Sequence, residues 1–88
     1  MNEQARQWIG GLLDRIITES DLEPARVELA GILRRIWPKL TEERADRIAR
    51  VALTAMREAA EKRTGGARQR HARLAVWRAI LAELIERD

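Results

Sequence analysis

Residues 41–63 read TEERADRIARVALTAMREAAEKR, and this stretch decides the fold class. Its apolar side chains recur at the three- and four-residue spacing of an amphipathic helix, and most of them are small. Thr41 is suited to cap the N-terminus, and the acidic side chains that follow it complement the positive end of the helix dipole. The stretch therefore predicts a helix whose small buried face lets neighbouring helix axes come close, which makes it the candidate central element of the fold.

Three more helices are predicted around this one. Ser20 and Glu23 match a capping box before the second helix, and Pro38 disfavours helical geometry at Trp37, where that helix should end. Gly65 and Gly66 mark a turn between the last two helices. The predicted helices cover residues 2–19, 22–37, 42–63 and 67–86. Because the connections are short, the sequence predicts an all-α fold, a compact antiparallel four-helix bundle that forms a single domain over residues 1–88.

The apolar face of the fourth helix is predicted to lie mostly in its second half. Its members are Leu74, Trp77, Ile80, Leu81, Leu84 and Ile85. Three valines fall outside the main stripes of their helices: Val27, Val51 and Val76. Two interpretations of these valines stay open, a second contact surface such as a homodimer face, or isolated surface residues. Gly10 and Gly11 weaken the first helix by about 1 kcal/mol each relative to alanine, and close approach of a neighbouring helix is the expected reason.

The composition excludes several classes of protein. With 45% hydrophobic and 35% charged residues, the chain should fold rather than stay disordered. No cysteine is present, so a disulfide framework and a thiolate metal site are excluded, and a cytoplasmic location is expected. No stretch reaches the ~18 consecutive apolar residues of a membrane span, and the N-terminus lacks the pattern of a signal peptide.

Positive charge is concentrated in one part of the chain. Residues 62–82 hold six basic side chains and no acidic one, whereas the rest of the chain is slightly acidic. The six are Lys62, Arg63, Arg68, Arg70, Arg73 and Arg78. Arginine suits paired hydrogen bonds to carboxylates and phosphates, so an acidic protein surface or a nucleic-acid backbone is the predicted partner. Trp37 is the tryptophan best placed to add an interface anchor, and an ordinary solvated helix face is the alternative interpretation of the charge.

These observations favour a non-catalytic protein-interaction module, such as a small adaptor or inhibitor, that binds through the basic hairpin between the third and fourth helices. A nucleic-acid-backbone binder is the alternative, although no aromatic side chain precedes Trp77 among the basic residues to stack on bases. An enzyme built around His71, the single histidine, is the weakest alternative because no acid lies near it in sequence to orient it. No metal site and no cofactor are expected.

Overall fold

The computed structural model describes residues 3–86, and all of the secondary structure in this range is helical. The helices are α1 (Glu3–Ile16), α2 (Glu23–Ile36), α3 (Glu42–Glu61) and α4 (Gly65–Glu86). The predicted all-α fold and its four helices are confirmed, with ends that shift by up to three residues. The predicted start of the first helix at Asn2 lies outside the described residues.

The helices form a four-helix bundle in which each packs against its neighbours in the chain, and α4 closes the ring by packing against α1. The bundle measures 36 × 25 × 23 Å. α3 takes part in the two most extensive pairings, with α4 and with α2, whereas α1 and α4 approach each other least of the neighbouring pairs. Within residues 3–86, none of the helices combines the length and the apolar character that crossing a membrane requires.

All four helices contribute to one hydrophobic core. Its largest fully buried side chains are Ile9, Leu12, Leu13, Leu29, Leu33, Ile48, Met56, Val76 and Ile80. Complete burial of a side chain of this size contributes roughly 1.5 to 3 kcal/mol, so these residues dominate the stability of the bundle.

The buried face of α4 is not the one that the sequence predicted. Ala72, Val76 and Ile80 are fully buried, at i, i+4 and i+8 along the helix. From the predicted face, Ile80 is buried and Trp77 and Leu84 are half-buried against the core. The remaining members of that face are exposed, at 46% for Leu74, 40% for Leu81 and 72% for Ile85.

The shape of α3 explains why this face of α4 is buried. The buried face of α3 includes Ala45, Ala49 and Ala52, and small side chains on both helices let α3 and α4 lie close together. Leucines at the same positions of α4 would hold the two axes apart. The prediction that Val76 lies outside the packing face is therefore wrong, whereas Val27 and Val51 are exposed as predicted.

The helix starts show one confirmed cap and one correction. The Thr41 hydroxyl accepts a hydrogen bond from the backbone N–H of Arg44 at 3.1 Å, so the predicted cap of α3 is confirmed. The predicted Ser20 capping box of α2 is wrong, because the carboxylate of Asp21 accepts the Glu23 N–H instead, at 3.1 Å. The Ser20 carbonyl meanwhile accepts a hydrogen bond from Arg57 Nη2 at 2.8 Å.

The glycines of α1 are not required by helix packing. A Cβ added at Gly11 would meet no atom within 4 Å, and one at Gly10 would meet only the Arg73 guanidinium carbon at 4.0 Å. The expectation that close approach of a neighbouring helix of the bundle explains them is therefore wrong. Gly65, the first residue of α4, adopts a φ of +61°, which confirms the predicted left-handed conformation at this position, whereas Gly66 has no positive φ.

Candidate functional site: the open side of α4

The six predicted basic residues are distributed over three sides of the bundle. Lys62, Arg63 and Arg78 border a depression between α3 and α4. Arg70 and Arg73 face the groove between α1 and α4. The Arg68 side chain lies at the C-terminal end of α1, where its Nη2 donates a hydrogen bond to the Ile17 carbonyl oxygen at 3.4 Å.

Trp37 lies at the far end of the bundle from the α3–α4 hairpin. It caps the C-terminus of α2 and is half-buried against the core. Thr41, just after it, caps the N-terminus of α3, whereas Lys62 caps the C-terminus. A helix of this length spans roughly 30 Å, so the structure does not bring Trp37 together with Lys62 and Arg63.

The outer face of α4 carries an apolar stripe that the core does not use. Leu74, Leu81 and Ile85 are exposed at i, i+7 and i+11, and Trp77 stands beside them half-buried. The stripe is about 17 Å long at 1.5 Å per residue. Large apolar residues thus line both the inner and the outer side of this helix, a pattern typical of helices that are covered on several sides.

This stripe borders an open groove, named here the α1–α4 seam. The seam has a volume of about 480 Å³. It is lined by Arg6, Gly10, Arg70, Arg73, Leu74, Trp77 and Leu81. Since α1 and α4 approach each other least of the neighbouring pairs, side chains rather than backbone close this side of the bundle.

The charged groups of the seam are arginines, and one of them is neutralised. Arg73 donates from Nη2 to both carboxylate oxygens of Asp14, at 2.5 and 2.6 Å. This hydrogen bonding to Asp14 raises the pKa of Arg73 above its usual value. Arg6 and Arg70 form no ion pair with a carboxylate of the described residues. Among residues 3–86 as described, the seam therefore combines apolar surface with two positive charges that no carboxylate matches.

His71 is exposed on a different side of α4. It borders the same depression as Lys62, Arg63 and Arg78. The structure brings one acid there that is not near in sequence, Glu58 of α3, and the depression holds about 290 Å³. Nothing in the described part of the chain hydrogen-bonds the imidazole to an orienting carboxylate, which is the arrangement that general base catalysis by histidine uses.

Sequence reasoning also missed the surroundings of Trp8. Its ring is half-buried in a groove between α1 and α2, with the Arg35 guanidinium 5.4 Å from the ring centroid. Such a cation–π contact contributes roughly 0.5 to 1 kcal/mol at an exposed site. The arrangement explains Trp8 as a local packing element and leaves Trp77 as the tryptophan of the seam.

The side chains of the seam are suited to binding rather than to proton transfer. Arginine stays protonated throughout the ordinary pH range, so it offers hydrogen-bond donors and charge but no base. Leucine and tryptophan add apolar area. Comparisons of this chain with protein-family models, with curated proteins and with solved structures found no match.

Proposed function

We propose that this chain is a non-catalytic protein-interaction module that binds an acidic partner surface through the outer side of α4. The observation that carries the proposal is the exposure of Leu74, Leu81 and Ile85 on a helix whose opposite side is fully buried. A contiguous apolar surface with a polar border is typical of protein-binding sites. The unmatched Arg6 and Arg70 favour a partner that supplies carboxylates.

The nucleic-acid alternative has weaker support. A phosphate backbone is held by several cationic side chains that share one surface, and here the six basic residues face three sides. The apolar stripe of α4 would have no role in such binding. The His71 enzyme is weaker still, because the groups around this histidine are mostly cationic.

A cytoplasmic location belongs to the same proposal. The absence of cysteine supports this location, because such a chain needs no oxidising compartment to fold.

Capture from a nuclease-treated extract of the source cells tests the proposal. The Leu81→Lys/Ile85→Lys double variant places charge on the stripe. Val27→Lys is the matched control, since Val27 is 63% exposed on α2 and lies outside the α4 surface. We expect at least one protein of the extract to be captured by the wild type and by Val27→Lys but not by the double variant.

Two results would overturn the proposal. The first is retention of the same protein by the double variant. The second is capture from an untreated extract that is absent from the nuclease-treated one, together with affinity for DNA or RNA that falls linearly in log salt, which indicates phosphate binding.

A further inference from the structure

We infer that the occupant of the α1–α4 seam is a single amphipathic α-helix with an acidic edge, which lies along α4 as a fifth helix of the bundle. This inference rests on the proposed function, because it names the kind of partner that the outer side of α4 binds. Three features of the seam carry it: the spacing of its apolar side chains, the space on its α1 side, and the position of its unmatched charges.

The spacing of the apolar side chains fits a helix. Leu74, Trp77 and Leu81 stand at i, i+3 and i+7, and Ile85 continues the series at i+11. Their side chains form a straight ridge about three turns long. The ridge of a second helix, with apolar residues at the same spacing, packs into the grooves beside it.

The α1 side of the seam leaves room for a partner. Gly10 lines the seam, and a Cβ there would be in ordinary contact with the Arg73 guanidinium, so the bundle itself does not need a glycine at this position. Glycine nevertheless destabilises the interior of a helix by about 1 kcal/mol relative to alanine. Close approach of a partner helix to α1 explains why that destabilisation is tolerated.

The unmatched charges select an acidic partner. The ion pair between Asp14 and Arg73 places these two residues side by side on α1 and α4. Arg70 lies about one turn from this pair along α4, and Arg6 lies about two turns from it along α1, in the opposite direction along the seam. The two arginines therefore stand roughly 15 Å apart along the seam. A partner helix with one carboxylate near each end meets both of them.

A second copy of this chain fits the seam less well. In a two-fold dimer the same surface faces itself, so the arginines of one copy would enter an interface that already holds those of the other. Repulsion between like charges opposes that arrangement. A self-associated form is therefore an outcome that the experiment must be able to detect.

The experiment uses the whole chain and a designed helical peptide of about 18 residues as the probe. The peptide carries leucine at i, i+4, i+7 and i+11 and glutamate along one edge. A second peptide has lysine in place of every glutamate, and a third has alanine in place of every leucine. The readout is the set of indole N–H resonances of the protein, in which Trp77 reports on the seam while Trp8 and Trp37 are internal controls.

We expect the glutamate peptide to shift the Trp77 resonance, to gain helix on binding, and to bind at least about tenfold more tightly than the lysine and alanine peptides. The Arg6→Glu/Arg70→Glu variant should reverse the preference between glutamate and lysine. Arg34→Glu/Arg47→Glu is the matched control: it makes the same change of charge at exposed residues of α2 and α3, and the preference should remain.

The outcomes separate this inference from the proposed function. Equal binding of the glutamate and lysine peptides overturns the inference that the partner helix has an acidic edge. The proposed function stands in that case, because the α4 surface still binds a peptide. Self-association that Leu81→Lys abolishes identifies a second copy as the occupant and overturns the inference. A Trp77 resonance that stays unchanged with every peptide also overturns the inference. The capture experiment is then the only test of the proposed function.

Discussion

Arg73 of α4 and Asp14 of α1 are joined by two short hydrogen bonds across the side of the bundle where these helices approach each other least. Both side chains are 45% exposed, so solvent screens the attraction and the pair contributes at most about 1 kcal/mol to stability. Its larger effect is on the charge of the α1–α4 seam. Asp14 neutralises one of three arginines there, whereas Arg6 and Arg70 form no ion pair with a carboxylate in the described part of the chain.

Removing the Asp14 carboxylate should separate these two effects. We expect Asp14→Asn to lower the free energy of unfolding by no more than about 1 kcal/mol and to tighten binding of the glutamate peptide several-fold, because Arg73 becomes available. Urea unfolding and peptide titration measure the two quantities. Glu28→Gln is the matched control, since it removes the pair with Arg15 between α1 and α2, where the charged atoms are 3.0 Å apart. Equal changes of peptide affinity in both variants would contradict this prediction.

The buried face of α4 can be tested with two adjacent residues. Ile80 is fully buried and Leu81 is 40% exposed, although the sequence placed both on one packing face. We expect Ile80→Ala to lower the free energy of unfolding by about 2 to 5 kcal/mol and Leu81→Ala by less than about 0.5 kcal/mol. Urea unfolding of the two variants measures both values. Similar losses would show that α4 presents the face that periodicity predicted.

This difference shows how far periodicity alone can predict the fold. For α1, α2 and α3 most of the apolar residues form one stripe, and the stripe identifies the buried face, although Val27 and Val51 lie outside it. In α4 they occur on most sides, so periodicity favoured the larger residues such as Leu74 and Leu81. The face of α4 that is buried is instead determined by its fit to the small residues of α3. The spacing of apolar residues within a single helix carries no information about this fit.

The candidate site was less predictable than the fold for a related reason. The basic residues are close together in sequence, but on a helix residues two or five positions apart face different directions, so the charge divides among three sides. Asp14 is distant in sequence from Arg73, and only the packing of α1 on α4 brings them together. The signal that could have indicated the seam is the apolar residues left over once Val76 is placed in the core.

Gly11 and Gly65 both have room for a side chain, but only Gly65 has a backbone conformation that disfavours one. Gly11 has no atom within 4 Å of an added Cβ and no positive φ, so we expect Gly11→Ala to stabilise the protein by up to about 1 kcal/mol. Gly65 has equal space but a φ of +61°, so Gly65→Ala should destabilise it by about 1 to 2 kcal/mol. Thermal and urea unfolding of both variants test the prediction, and effects of the same sign would contradict it.

Acid should weaken the bundle at the start of α2. The hydrogen bonds and charge of Arg26 lower the pKa of Glu23 below its ordinary value of 4.5. A carboxylate with a lowered pKa in the folded state stabilises that state above its unfolded pKa, and the contribution is lost as the pH falls through the folded value. We therefore expect the wild type to be more stable than Glu23→Gln at pH 7, with the difference disappearing below pH 4.5.

A double-mutant cycle isolates this contribution. Glu23→Gln, Arg26→Gln and the combined variant are unfolded in urea above and below pH 4.5. The cycle is needed because Arg26 also forms an ion pair with Asp46, so its single variant reports on both carboxylates. The coupling between Glu23 and Arg26 should be favourable at the higher pH and absent once Glu23 is protonated in the folded protein. A coupling that is the same at both pH values would mean that the two side chains interact by packing rather than by charge.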